Sequence, residues 1–144
     1  MAGKPLISWT IEASLQSKYV DTTIVSSDCD EILKIAKEFG AIAELRSSEL
    51  SQDNIKNADV LLSLLEKYTN YDIVILLQPT SPLRDKDQID NAIKELINKN
   101  GDAIISVCEN SHPPQWAATL PSDKNMNNFI SNINTKRSQE IEST

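Results

Sequence analysis

The stretch Asp72-Ile73-Val74-Ile75-Leu76-Leu77 limits the fold of this chain more than any other. Successive side chains of a strand point to opposite faces, so this run offers apolar groups to both. Such a strand needs cover on both faces, which is the situation of a central strand in a parallel sheet flanked by helices. The sequence on either side supplies the helices.

Pro5 suits the first turn of a helix, and Ile7, Ile11 and Leu15 then form an apolar stripe. Residues 22–26 are a short β-branched run and predict a strand. Asp28 or Asp30 is placed to cap the next helix, which carries Ile32, Ile35, Ala36 and Phe39 and is stopped by Gly40. Residues 41–45 predict a weaker strand, and 46–56 a polar loop. A helix follows with Ala58, Leu61, Leu62 and Leu65 on one face. After the 72–77 strand, Asp87 is placed to cap a helix bearing Ile89, Ala92, Ile93 and Leu96. Gly101 closes it, and 103–107 is a further strand. Strand alternating with helix predicts an α/β fold with a mostly parallel sheet. The pattern weakens after Val107. Residues 1–121 are therefore read as the core and 122–144 as a polar, Asn-rich arm, either solvated or covering a substrate. A doubly wound fold ordinarily opens on a strand whose following loop binds phosphate. This sequence opens on a helix, so its natural first strand is expected to be missing and the domain incomplete.

The 144 residues suffice for one domain, and a 40% apolar content is that of an ordinary globular protein. With 14 basic and 21 acidic residues the formal charge is −7, and no basic cluster is present. That argues against nucleic acid or an anionic membrane as partner. No apolar run approaches the ~18 residues of a membrane span, and the first residues lack a signal-peptide core; a cytoplasmic protein is expected. Cys29 and Cys108 stand far apart, with only His112 to join them, so reduced core or near-core thiols are expected rather than a disulfide or a metal site.

In open parallel sheets ligands bind beyond the C-terminal ends of the strands. The most informative strand-end loop is Gln78-Pro79-Thr80-Ser81-Pro82-Leu83-Arg84. Two prolines stiffen it, Gln78 brings an amide that both donates and accepts, and Thr80 and Ser81 add hydroxyls. From the residues alone this is either a ligand-reading loop or a rigid turn whose side chains satisfy its own backbone. Arg46 ends another strand; it is either a solvated arginine or a planar fork for phosphate or carboxylate. Asp28 and Asp30 suit helix capping better than a cation. His112 has no visible nucleophile or orienting partner. Neither a G-x-G-x-x-G nor a Walker motif occurs.

Several of these segments together resemble one family. Gly3-Lys4-Pro5-Leu6-Ile7 with Thr10-Ile11 and Ala13 resembles the opening helix of acylneuraminate cytidylyltransferases. Ile24-Val25-Ser26-Ser27-Asp28 resembles a strand end of that family. The spacing from Glu31-Ile32 to Gly40-Ala41, and Arg46-Ser47-Ser48-Glu49-Leu50 with Asp53, resemble two more of its segments. The stretch from Leu76 to Arg84 is similar to its hallmark LLQPTSPLR. Order and spacing agree over residues 3–108; beyond them only 111–116 and Arg137-Ser138-Gln139 align.

The resemblance implies a Rossmann-like nucleotide-diphospho-sugar transferase fold, a three-layer sandwich. It also implies cytidylyl transfer from CTP to a sialic-acid-type sugar acid, giving a CMP-sugar and pyrophosphate, with Mg²⁺ required. It places Arg46 and Asn57 beside the nucleotide, Asn57 standing where the family usually has Ser. Thr80 and Ser81 would shape the cytosine pocket, and Gln78 would lie between nucleotide and sugar. Arg137 would meet the acidic sugar as a binding and catalytic group. A homodimer is expected. The family's Gly- and Arg-rich phosphate loop and its late aspartate pair for Mg²⁺ have no counterpart in these residues. The chain is therefore expected to hold no metal ligands itself, to be inactive alone, and to cover its open sheet by association. Two alternatives remain: a cytidylyltransferase for legionaminate, pseudaminate or 3-deoxy-octulosonate, the last fitting the motif wording less well, and a non-catalytic α/β binding module such as a degenerate relative or a receiver-like domain.

Overall fold

The computed structural model describes residues 1–108 and Ser122, and the chain divides into two compact units, Met1–Ile104 and Ile105–Thr144. In the second unit, 105–108 are exposed and lie outside any helix or strand. His112, Arg137 and, Ser122 apart, the polar arm lie outside the described residues.

In the first unit, helix α1 (Leu6–Leu15) starts where the fixed φ of Pro5, −55°, sets the chain for a helical turn. Pro5 itself stands at the N-cap position. Ser8, Thr10, Ile11, Ala13 and Ser14 are buried. These are mostly small side chains, which let neighbouring elements close on α1 from two directions. Leu15, expected to continue the apolar stripe of Ile7 and Ile11, is exposed.

Strand β1 (Ile24–Ser27) is followed by helix α2 (Asp30–Glu38) and strand β2 (Ile42–Leu45). The two strands pair in parallel from Ile24↔Ile42 to Ser27↔Leu45. The backbone exit from α2 is set by Gly40 at φ +90°. Gly40 N–H donates to Lys37 O at 3.1 Å and Ala41 N–H to Ala36 O at 2.9 Å. This is a Schellman close, in which glycine takes the left-handed position without steric cost. The cap at the other end differs from expectation. Cys29 occupies the N-cap without a side-chain bond, and Asp30 and Glu31 fall in the first turn. There they act on the helix dipole rather than on its first N–H groups.

A 3₁₀ turn (Glu49–Ser51) interrupts the polar loop before helix α3 (Asn57–Lys67). No residue of α3 is fully buried. Its apolar side is rotated from the expected one. Val60, Leu61, Leu64 and Leu65 are half-buried, whereas Leu62 points outward. Helix α4 (Lys86–Asn98) is capped by Asp85, not Asp87. Gln88 N–H donates to Asp85 Oδ1 at 2.8 Å, and Asp85 N–H donates to Gln88 Oε1 at 3.2 Å, a reciprocal capping box. At its end Asn100 takes the positive φ, and Gly101 N–H donates to Leu96 O. Asparagine thus does what was expected of Gly101.

Two apolar clusters flank α1. Ile11, Ala36 and Ala41 pack with Ile7, Val25, Phe39 and Ala43. Ala13, Ile89 and Ile93 pack with Val20 and Leu77. The second is fastened by buried Asp90, which accepts from Ser17 Oγ at 2.5 Å and from Lys18 N–H at 3.0 Å.

The fold is α/β with a parallel sheet, and that sheet has two strands among the described residues. The 72–77 run is not the covered strand its composition predicts. It lies outside any helix or strand, and no ladder bond reaches it among the described residues. Val74 is 43% exposed and Leu76 57%. A strand exists through its neighbour, and a cavity occupies the place beside this run. The 103–107 run likewise forms no strand among the described residues. Cys29 and Cys108 are free and exposed rather than core residues.

Candidate functional site

The cavity has a volume of about 490 Å³ and lies in the first unit. Its lining is apolar over most of its length: Ile7 and Ile11 of α1, Val25 of β1, Val60, Leu61, Leu64 and Leu65 of α3, and 73–77. Its polar lining includes Ser26, Ser27, Arg46, Asn57 and Gln78 toward one end, and Thr10, Ser14, Asp21, Thr22 and Thr23 elsewhere. Ser27 ends β1 and Arg46 directly follows β2, so these two stand where ligands of open α/β sheets bind.

Arg46 is the one cation among these lining residues. Its N–H extends the ladder to Ser27 O at 2.9 Å. Its side chain turns back on β1: Nη2 donates to Ser26 O at 2.5 Å and Nε to Ser26 Oγ at 3.3 Å. Both partners are neutral, and no carboxylate pairs with Arg46 among the described residues. The guanidinium is therefore oriented while its charge stays uncompensated. Nη1 has no partner among the described residues and remains for an anion. Asn57 is the first residue of α3, whose positive dipole end also favours negative charge.

The 78–84 loop is two successive turns. Ser81 N–H donates to Gln78 O, and Arg84 N–H to Ser81 O, each at 3.2 Å. Pro79 and Pro82 stand second in their turns, where a fixed φ is favourable. Arg84 Nη1 and Nη2 also approach Gln78 O at 3.4 and 3.5 Å. The Gln78 side chain is exposed and lines the cavity. Of the residues singled out in the sequence, Arg46, Asn57 and Gln78 thus share one cavity. Thr80 and Ser81 sit in the adjoining turns and do not line it. Arg137 lies outside the described residues.

Two supporting groups carry no sequence signal. Ser26 is an ordinary strand serine until the fold brings Arg46 to it. Glu44 of β2 accepts from Lys67 Nζ at 2.8 and 2.7 Å and from the Tyr68 hydroxyl, tying the end of α3 to the sheet. The Lys67 bond, then that of Tyr68, holds the Glu44 carboxyl below its ordinary range. The same bond to Glu44, with burial, pushes the Tyr68 hydroxyl up to about 12. No group of three His, Cys, Asp or Glu side chains able to hold a metal ion occurs among the described residues.

An open α/β sheet with a cation-bearing site at its strand ends defines the class of protein. A family model described as cytidylyltransferase matches residues 1–142, and the chain belongs to that family. CMP-N,N'-diacetyllegionaminic acid synthase of Legionella pneumophila is 37% identical over 88% of this chain and 56% of its own length. The N-acylneuraminate cytidylyltransferase of Escherichia coli O18:K1:H7 is 38% identical over 78% of this chain and 27% of its own length. The pseudaminic acid cytidylyltransferase of Campylobacter jejuni is 32% identical over 96% of this chain and 62% of its own length. The chain thus spans between about a quarter and three fifths of these relatives.

No helix among the described residues is long and apolar enough to cross a membrane.

Proposed function

We propose that this chain carries the nucleotide side of an enzyme that transfers a cytidylyl group from CTP to a nonulosonic acid, releasing pyrophosphate. The observation that carries the reading is the meeting of Arg46, Asn57 and Gln78 at one cavity. Phosphoryl-type transfers are catalysed mainly by positioning and by cations facing the phosphates. Arg46, held by Ser26 and free of any carboxylate among the described residues, supplies one such cation. The Gln78 and Asn57 amides supply donors and acceptors for a base edge or a sugar hydroxyl. Thr80 and Ser81 would enter through their turns and Arg137 from beyond the described residues. Similarity to synthases named for legionaminic, acylneuraminic and pseudaminic acids supports the acceptor class without choosing among them. A cytoplasmic homodimer that uses Mg²⁺ from ligands elsewhere completes the proposal.

The test is pyrophosphate release from CTP with each of the three sugars, using ATP and 3-deoxy-octulosonate as controls. It is run on the 144-residue chain and on the chain extended by its flanking coding sequence. Release by the extended chain that depends on both CTP and a nonulosonic acid supports the reading. Silence from a folded extended chain with every sugar overturns it and leaves a binding module. The 144-residue chain is expected to be silent, and robust turnover by it would refute that part.

A further inference from the structure

Arg46 shares its face of the sheet with a carboxylate. Ser26 and Glu44 are register partners in the parallel pair, so their side chains leave the sheet on the same side. Arg46 follows Glu44 by two positions and continues the ladder through its N–H to Ser27 O. Alternation puts its side chain on that side too, and the bond from Arg46 Nε to Ser26 Oγ at 3.3 Å agrees. Glu44 therefore stands about 7 Å along the strand from Arg46, twice the rise per residue. Both side chains are long enough to close that distance. A carboxylate is also the strongest partner that a protein offers a guanidinium fork.

No ion pair joins the two among the described residues, and the end of α3 supplies the reason. Glu44 Oε1 and Oε2 accept from Lys67 Nζ at 2.8 and 2.7 Å, and Oε1 also accepts from the Tyr68 hydroxyl. Lys67 is the last residue of α3 and Tyr68 its C-cap. The Lys67 ammonium lies 5.8 Å from the centre of the Tyr68 ring, so the two donors also brace each other. The Glu44 side chain is only 17% exposed, which leaves little room for water to displace them. Lys67 thus neutralises Glu44, and Arg46, held only by neutral oxygens of Ser26, keeps its charge.

We propose that Lys67 and Tyr68 are positioning residues of the nucleotide site: they hold the Glu44 carboxylate off Arg46 and so keep the guanidinium available to an anionic ligand. Neither residue touches that ligand; both act through Glu44. The inference rests on the cytidylyl reading for the identity of the anion, and on the sheet register alone for the rivalry between Lys67 and Arg46 over Glu44.

The test is run on the chain extended by its flanking coding sequence. Lys67→Met with Tyr68→Phe removes both donors and nearly keeps the side-chain volumes. This double variant should bind CTP about fivefold more weakly by isothermal titration, the upper range for an ion pair in contact with water. Adding Glu44→Gln should restore the affinity, because an amide cannot neutralise Arg46. A merely structural role would leave the triple variant as weak as the double, since the same ties are gone. Lys34→Met, which deletes the same charge from α2, should change binding little and separates the effect from a general loss of positive charge. Should the double variant not fold, Tyr68→Phe alone takes its place, with a smaller loss expected that Glu44→Gln again reverses. A second readout is the Arg46 Nε–H proton resonance, assigned by its loss in Arg46→Lys. It should move downfield in the double variant, as the guanidinium meets a carboxylate, and return in the triple. Unchanged affinity on loss of the donors, or a triple variant no tighter than the double, overturns the proposal. If the wild-type extended chain does not bind CTP, the cytidylyl reading fails and the resonance decides. A shift that Glu44→Gln reverses then upholds the positioning role, and a fixed resonance overturns it.

Discussion

At the scale of single residues, the site rests on how Arg46 is held. A lysine keeps the charge but cannot reach Ser26 O and Ser26 Oγ together as a planar fork does. Arg46→Lys in the extended chain is expected to weaken CTP binding about tenfold, the lower end for a charged hydrogen bond. Isothermal titration checks this, and thermal unfolding controls for stability. The Glu44–Tyr68 bond has a spectroscopic signature. With Tyr68 pushed up to about 12, one of three tyrosines should ionise late in an absorbance titration. Tyr68 favours the protonated form in the fold. Its contribution to stability is therefore complete below the ordinary tyrosine value of about 10 and is lost as pH rises through about 12. Glu44→Gln should return Tyr68 toward its ordinary value.

At the scale of elements, local chemistry was readable and partnership was not. Helix α4 was legible from Ile89, Ala92, Ile93 and Leu96, but two nearby aspartates competed for its cap. Only the reciprocal bonds of Asp85 and Gln88 decide between them. Asp85→Ala is expected to cost about 1 kcal/mol in chemical denaturation, whereas Asp87→Ala should cost much less. The α2 exit was legible because glycine is the usual answer to a left-handed residue; the α4 exit was misread because asparagine also serves. The 72–77 run shows the limit most clearly. Its aliphatic content predicts a covered strand, yet whether a ladder forms depends on a neighbour elsewhere in the chain. Arg46 and Gln78 were legible as site residues because strand ends and stiff turns mark where ligands bind. Ser26 was not, since its role exists only through the parallel register that brings Arg46 alongside.

At the scale of the whole molecule, the turn that follows α1 is joined to α4 across 73 positions by the bond from Ser17 to Asp90. The Ser17 hydroxyl, with the Lys18 N–H and nearby Lys94 and Lys18, holds the Asp90 carboxyl below its ordinary range against the opposing effect of burial. A depressed carboxyl contributes stability that is present above its unfolded value and is lost as pH falls through the folded one. The midpoint of thermal unfolding should therefore drop on acidification. Asp90→Asn should lower it at neutral pH and flatten its acid limb, as calorimetry across pH would show.

Ser26 belongs to two structures at once. Its N–H lies on the open edge of β1, while its C=O and Oγ orient Arg46. A displacement of the β1 backbone at this one residue therefore moves the guanidinium with it.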